Sequence, residues 1–559
     1  MRSVLYNEYI EIISARVYKG MKKIKEYLKK EWIFYATGLF SGMSVMAVEL
    51  GAQRLLSPYF SASQIVWTIV IGVIMISMAL GNILGGKMAD KQNKPDRLFV
   101  WIFVAATWIM LVPLFGKFVI SGVALVLATF VTKKYLIWAS LVSCVLVFVF
   151  PLMILGMVTP NIVKFATKNL DTNGKIVGKI EAYNTIGSII GTFIPTFVSI
   201  PFVGTSWTFV IFAGILYVVC LIYFLLRKRF VIRSSIILIL CLAIGVASSF
   251  IKVAFWDDRI IYEGESVYNY IRVEENDKSI IFSTNVLFGV QSVKMKKKGL
   301  TYNYYDYAMA APIIAGVFDR PLDVLILGLG TGTYASQCFE YFGRENLSFD
   351  GVEIDERVVD IAKEYFDLPE AVNVFVEDGR AYLNNNDKKY DVIMVDAYRD
   401  ISIPFQMSSV EFFKSVRSHL NAGGCMVVNM NMYADTTGSI TDYLEGTIRS
   451  VFSDVVTVKT RGSNKELFAA DYDVLTALSE NKNDIEQADL FGMALYIEEN
   501  SVPVSPSDYI LTDDKAPVEY LGMQVLDATI SAELSDIRES IKGKTLGELI
   551  EMLASGRFL

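Results

Sequence analysis

The chain has 559 residues, 53% of them hydrophobic, and its mean hydropathy of +0.41 is too high for a purely soluble protein of this size. A net charge of −7, with basic residues flanking apolar runs rather than forming a stripe, argues against nucleic acid as a partner. A single histidine, His419, and five cysteines without ligand spacing argue against a multi-histidine metal site or a histidine triad, so carboxylates, tyrosines and backbone must carry any chemistry.

Residues 1–31 form a charged segment rich in lysine, which the positive-inside rule places in the cytoplasm. Residues 32–254 read as a multi-pass transmembrane domain of seven or eight helices. Its apolar runs are 32–51, 64–87, 98–115, 135–158, 186–203, 205–226 and 235–253, with the shorter 118–132 either an eighth crossing or a re-entrant piece. The run 85–91, Gly-Gly-Lys-Met-Ala-Asp-Lys, resembles the loop between the second and third helices of major facilitator transporters, and its plainer reading is a basic turn between two helices. Glycines such as Gly187 and Gly191 suit close helix packing.

After Trp256 the pattern turns to short strands, a small β-rich leading segment over 255–320. From 321 to 525 strands alternate with helices, which predicts a Rossmann-like α/β domain whose ligand lies beyond the carboxyl ends of parallel strands. The first of these strands, 323–327, ends in Gly328-Leu329-Gly330-Thr331-Gly332 and leads into a helix reaching about Phe342. The three glycines permit a sharp turn and close approach of backbone to a ligand. The second strand, 349–354, carries Glu353 near its tip, where a carboxylate grips a ribose diol. A third, 374–376, ends in Glu377-Asp378-Gly379, with Asp378 able to accept from an adenine amino group. The fourth, 390–395, ends in Asp396. The remaining 526–559 form a C-terminal helical tail whose apolar positions, such as Leu534 and Ile537, predict packing against the domain or against a second copy in a homodimer.

The run from Asp323 to Met430, with Val352-Glu353-Ile354-Asp355, Glu377-Asp378-Gly379-Arg380, Tyr390 through Asp396 and Gly423-Gly424, resembles the spermidine synthase (polyamine aminopropyltransferase) family. So do Leu287 through Gln291 and the Tyr304-Tyr305-Asp306 cluster upstream. The run from Leu511 to Glu519 is similar to the closing segment of membrane-fused members. The resemblance implies displacement at a carbon activated by a sulfonium, with decarboxylated S-adenosylmethionine or S-adenosylmethionine as cosubstrate, no tightly bound cofactor, and a small-molecule amine such as putrescine as acceptor. It implies that Asp396 is base or orienter for the amine. The donor set is then Gly328, Gly330, Gly332, Glu353, Asp378, Gly379 and Gln291, and the acceptor set Tyr304, Asp306, Tyr398 and Asp400.

Two departures stand out. Thr331 replaces an aspartate of the family's glycine loop, and Ala397-Tyr398-Arg399-Asp400 replaces the family's second acidic residue and proline. Arg399 suits an anionic acceptor or an intact donor's carboxylate. Alternatives are therefore a methyltransferase using intact S-adenosylmethionine and a non-catalytic polyamine sensor or transporter. The protein is expected in the cell membrane, in contact with lipid. Eight crossings are preferred because they return the transferase domain to the cytoplasm, where the donor is made, although Lys164, Lys168, Lys175, Lys179 and Arg227 to Arg233 would then lie outside.

Overall fold

The computed structural model describes residues 32–91, 94–131, 133–167, 173–286, 289–397, 403–431, 434, 436–460, 464–541, 544 and 548. The chain divides into two compact units between Val253 and Ala254, with residues 128–135 grouped with the second.

The first unit is helical. Among the described residues six stretches are long and apolar enough to cross a membrane: Trp32–Phe60, Gln64–Lys91, Asp96–Phe130, Tyr135–Ala166, Asn173–Arg227 and Val231–Ser248. The run 118–132 is not a separate crossing. Through Phe130 it continues the helix that begins at Asp96, with Pro113, Gly116 and Gly122 inside it. The stretch Asn173–Arg227 doubles back through Pro195–Ser199 and a non-helical Gly204 (φ +83°). Its two arms run in opposite directions along the helix Trp32–Phe60. Gly187 and Gly191 pack on the backbone of Leu39 and Met43, whereas Phe209 reaches Gly51 and the carbonyl of Phe212 accepts from Ser44 Oγ at 3.2 Å. A Cβ on either Gly187 or Gly191 would overlap a backbone carbonyl, so close helix contact requires glycine there. Gly85–Lys91 belongs to the last turns of Gln64–Lys91 rather than to a loop, and Asn161 Nδ2 donates to the Gly85 carbonyl at 3.0 Å.

These contacts fix which helix ends share a face. Arg229 pairs with Asp96 (3.1 Å) at one face. At the other, Tyr59 Oη donates to the carbonyl of Val253 (2.9 Å) and the buried Lys117 ammonium donates to the carbonyl of Ile251. With the doubled stretch counted twice, the described residues make seven helical passes, so Trp32 shares the face of Asp96 and Val253 lies at the opposite one.

The second unit holds two sheets. Strands β1 (Ile260–Glu265), β2 (Tyr270–Glu275), β3 (Ser279–Ser283) and β4 (Ser292–Met295) form an antiparallel meander. Strands β5 (Leu322–Leu327), β6 (Leu347–Glu353), β7 (Val372–Val376), β8 (Tyr390–Val395), β9 (Leu420–Met430), β10 (Asp454–Lys459), β11 (Lys465–Ala470) and β12 (Val502–Pro503) form the main sheet, in the order β12-β10-β11-β9-β8-β5-β6-β7. The pairs β7-β6, β6-β5, β5-β8 and β8-β9 are parallel, as strand–helix alternation predicts. The antiparallel edge β11-β10-β12 was not anticipated from the sequence.

Alternation along the strands sends Val324, Ile326, Val392, Met394, Val427 and Phe468 to one core, which also holds Tyr305 and Tyr334. Leu325, Leu327, Ile393, Val395, Val428 and Leu467 go to the other, with Phe412 and Phe413. Burial on both faces explains the near-continuous apolar runs of these strands. All five cysteines are buried. His419 caps the helix Val410–Ser418, its ring nitrogens lying 2.7 and 2.6 Å from the carbonyls of Ser415 and Asn386. It is therefore a tie between two segments rather than a helix-surface residue. The tail helix begins at Val518 and is described to Ile541.

Candidate active site

A cavity of about 90 Å³ opens at the carboxyl ends of β5, β6 and β8, the position that a parallel sheet reserves for ligands. Gln291, Tyr304, Gly328, Gly330, Glu353 and Asp396 line it together with Asn269, Ser292, Tyr305, Thr333, Tyr334 and Met394. Six residues picked out in the sequence thus converge from five separate segments.

Each is positioned by local chemistry. Gly328 sits at φ +91°, and a Cβ there would lie 2.5 Å from the carbonyl oxygen of Asp396, so the glycine is needed both for the turn and for the approach of β5 to β8. Gly330 donates its backbone N–H to Glu353 Oε2 at 2.9 Å, and Asp355 N–H donates to Oε1 at 3.1 Å. Burial nonetheless pushes the Glu353 carboxyl up to about 7, against these two donors. Asp355 caps the helix Glu356–Tyr365 and accepts from Ser266 Oγ (2.5 Å) and Asn269 Nδ2 (3.1 Å), which ties the meander to the tip of β6.

Asp396 is held from two sides. Its Oδ2 accepts from Tyr304 Oη at 2.5 Å and its Oδ1 from Asn429 Nδ2 at 2.8 Å. Burial raises this carboxyl to about 7; the two donors oppose the rise and the charge of Glu353 adds to it. A carboxyl so placed can take a proton from an amine near neutral pH, while Tyr304 stabilises the ionised form.

Other predicted residues lie elsewhere. Gly332 (φ +75°) starts the helix Thr333–Phe342 and packs on Leu368 outside the cavity lining. Asp378 caps the helix Gly379–Asn385, its Oδ1 accepting from the N–H groups of Arg380 and Ala381 at 3.0 Å each, and Gly379 packs near Met407. Asp306 is buried away from the lining, where it accepts from Tyr302 N–H (2.5 Å) and Thr301 Oγ1 (3.1 Å). Burial raises it to about 7. Thr331, which replaces the family's aspartate, is also buried outside the lining and shares a hydrogen bond with Thr333 Oγ1 (3.1 Å). Tyr398, Arg399 and Asp400 lie outside the described residues, as do Leu287 and Phe288. The closing segment is anchored where Asp513 accepts from both Arg380 guanidinium nitrogens (2.7 and 2.6 Å) and from Ser409 Oγ (2.5 Å).

Sequence reasoning missed Asn429, which orients Asp396, and Glu466 on β11, which is fully buried with no hydrogen-bond partner on either oxygen among the described residues. An acid directly before the apolar run Leu467–Ala470 was the available signal.

A Rossmann-like sheet with acidic side chains at successive parallel-strand tips defines a nucleotide-dependent transferase. The family described as "Spermine/spermidine synthase domain" matches residues 308–461. A probable polyamine aminopropyl transferase of Bifidobacterium longum is 45% identical over 350 residues, covering 59% of this chain and 77% of the relative. The polyamine aminopropyltransferase of Vibrio vulnificus is 27% identical over 273 residues, 47% of this chain and 86% of its own. Among solved structures, a probable spermidine synthase from Corynebacterium glutamicum superposes with a TM-score of 0.35 at 20% identity, over 40% of this chain and 88% of that one. The chain belongs to the polyamine aminopropyltransferase family and is an enzyme of that family.

Proposed function

We propose that the protein transfers an aminopropyl group from decarboxylated S-adenosylmethionine to a small amine such as putrescine, at a site carried by a membrane-spanning helical unit. The observation that supports this most is the Asp396 carboxyl, buried at the cavity and shared between Tyr304 and Asn429. Asp396 orients the attacking amine and receives its proton as nitrogen displaces sulfur from the aminopropyl carbon. Glu353, whose Oε2 already holds the glycine loop, grips the donor's ribose, and Asp378 contacts the adenine with the oxygen not spent on its cap. Gln291 and Tyr304 line the path of the reacting chains. The cavity is far smaller than a nucleoside needs, so in this arrangement it holds the reacting ends while the nucleoside lies outward along the strand tips.

Full-length protein in detergent, given decarboxylated donor and putrescine, should form spermidine detectable by mass spectrometry. Methylated products from intact donor, with no spermidine from the decarboxylated one, would overturn the assignment. The transferase unit is proposed to face the cytoplasm, the source of such a donor. Seven crossings then put Trp32, which the lysine-rich residues 1–31 precede, on the outer face together with Arg227, Lys228 and Arg229, against the usual charge bias and against the cytoplasmic placing expected for residues 1–31. A reporter fused after Trp256 is therefore a severe test, and one active only outside the cell would leave the site without its donor.

A further inference from the structure

Asp396, Asn429 and Glu466 stand in one row across three adjacent strands. Val395 of β8 is in register with Val428 of β9, so the next residues, Asp396 and Asn429, are level and their side chains hydrogen-bond. Asn429 in turn pairs directly with Glu466 of β11. All three follow the alternation of Met394, Val427 and Phe468, which places them on the sheet face that carries Tyr334. At about 4.8 Å per strand, the backbones of Asp396 and Glu466 are roughly 10 Å apart, with Asn429 of β9 between them.

Glu466 is fully buried, and among the described residues neither of its oxygens has a hydrogen-bond partner. An acid left this way is costly to the fold by itself, and such a group calls for a cation or donor that completes it. Burial pushes the Glu466 carboxyl well above its usual range, and the charge of Asp396 adds to the rise. Tyr304, Tyr334 and Asp396 all line the cavity, whereas Glu466 lies behind that lining.

We infer that Glu466 is the specificity-determining counter-charge for the non-reacting ammonium of a diamine acceptor, whose reacting nitrogen is held by Asp396. This rests on the transferase reading above and names the acceptor class, an α,ω-diamine rather than a monoamine. Glu466 supplies from β11 the second acidic contact that Ala397, next to Asp396, does not offer.

The test compares 1,4-diaminobutane with 1-aminobutane as acceptors for full-length protein and for Glu466→Gln, which keeps the shape and removes the charge. Loss of a buried charge pair should raise KM for the diamine by about 30-fold or more, with kcat nearly unchanged and the monoamine's kinetics unaffected. Glu466→Asp, which withdraws the carboxylate by one methylene, should restore diamine preference and shift it toward 1,5-diaminopentane. Equal losses for both acceptors, or an unchanged diamine KM, would overturn the inference. Should the wild type transfer nothing, the transferase reading fails instead. Calorimetric titration with 1,4-diaminobutane then decides the inference alone: binding that Glu466→Gln abolishes supports it, and binding that survives refutes it.

Discussion

Replacing Tyr304 with phenylalanine removes one hydroxyl from the cavity and keeps the ring. The lost hydrogen bond, 2.5 Å to Asp396 Oδ2, stabilises the ionised carboxylate. Hydrogen bonds to charged groups contribute about 1.5–3 kcal/mol, and at about 1.36 kcal/mol per pKa unit the Asp396 carboxyl should rise by about 1–2 units. Asp396 already titrates near 7, so the acidic limb of kcat/KM should move to about pH 8–9. At pH 7 the ionised fraction falls from about a half to between about a tenth and a hundredth. The assay is the pH dependence of aminopropyl transfer between pH 5 and 10, with thermal melts to show that the variant is folded. Glu353→Gln should do the reverse, lowering the limb because a neighbouring negative charge is gone, while it weakens donor binding. Since the two carboxyls interact, the limb belongs to the pair. An acidic limb that stays in place or moves down in Tyr304→Phe would refute the assignment of Asp396 as the proton acceptor.

Asp396→Asn should lower kcat by about 10²–10⁴-fold while the donor's affinity, measured by calorimetry, changes little; unchanged turnover removes Asp396 from the chemistry. Gly328→Ala forces a side chain into φ +91° and against the Asp396 carbonyl. It should cost about 2–4 kcal/mol, read as a fall of roughly 5–10 °C in the melting of the second unit, and it should lower turnover by displacing Asp396. Asp396 and Glu353 titrate near 7 in the folded protein, above their unfolded values, so the folded state holds extra protons between about pH 4 and 7. Their contribution to stability is full at the acid end of that window and is lost as pH rises through 7. Asp350 and Asp391, depressed by Lys388 and Arg320 among other partners, act oppositely and only below about pH 4. Denaturant unfolding should therefore show the second unit more stable at pH 5 than at pH 8, with the difference reduced in Asp396→Asn; a steady rise in stability from pH 5 to 8 would contradict the burial of these acids.

What was legible in the sequence follows from local physics. Parallel strands buried on both faces leave apolar runs that end in a polar tip, so β5, β6 and β8 could be placed within two residues, along with Glu353 and Asp396 at their ends. Gly328 and Gly330 were readable because a turn at positive φ accepts little else. The long apolar runs marked the helical unit in the same way. Only the tertiary structure decided the rest. Asp378 and Asp306 sit in suggestive motifs, yet one caps a helix and the other ties down the residues before Tyr304. Whether 118–130 crosses a bilayer or extends a helix depends on where the helix ends, which hydropathy does not report. Asn429 and Glu466 carry no motif at all. They stand in one row with Asp396 because β8, β9 and β11 are neighbours in the sheet while lying far apart in the chain, and strand order is set by packing across the whole domain rather than by any local run of residues.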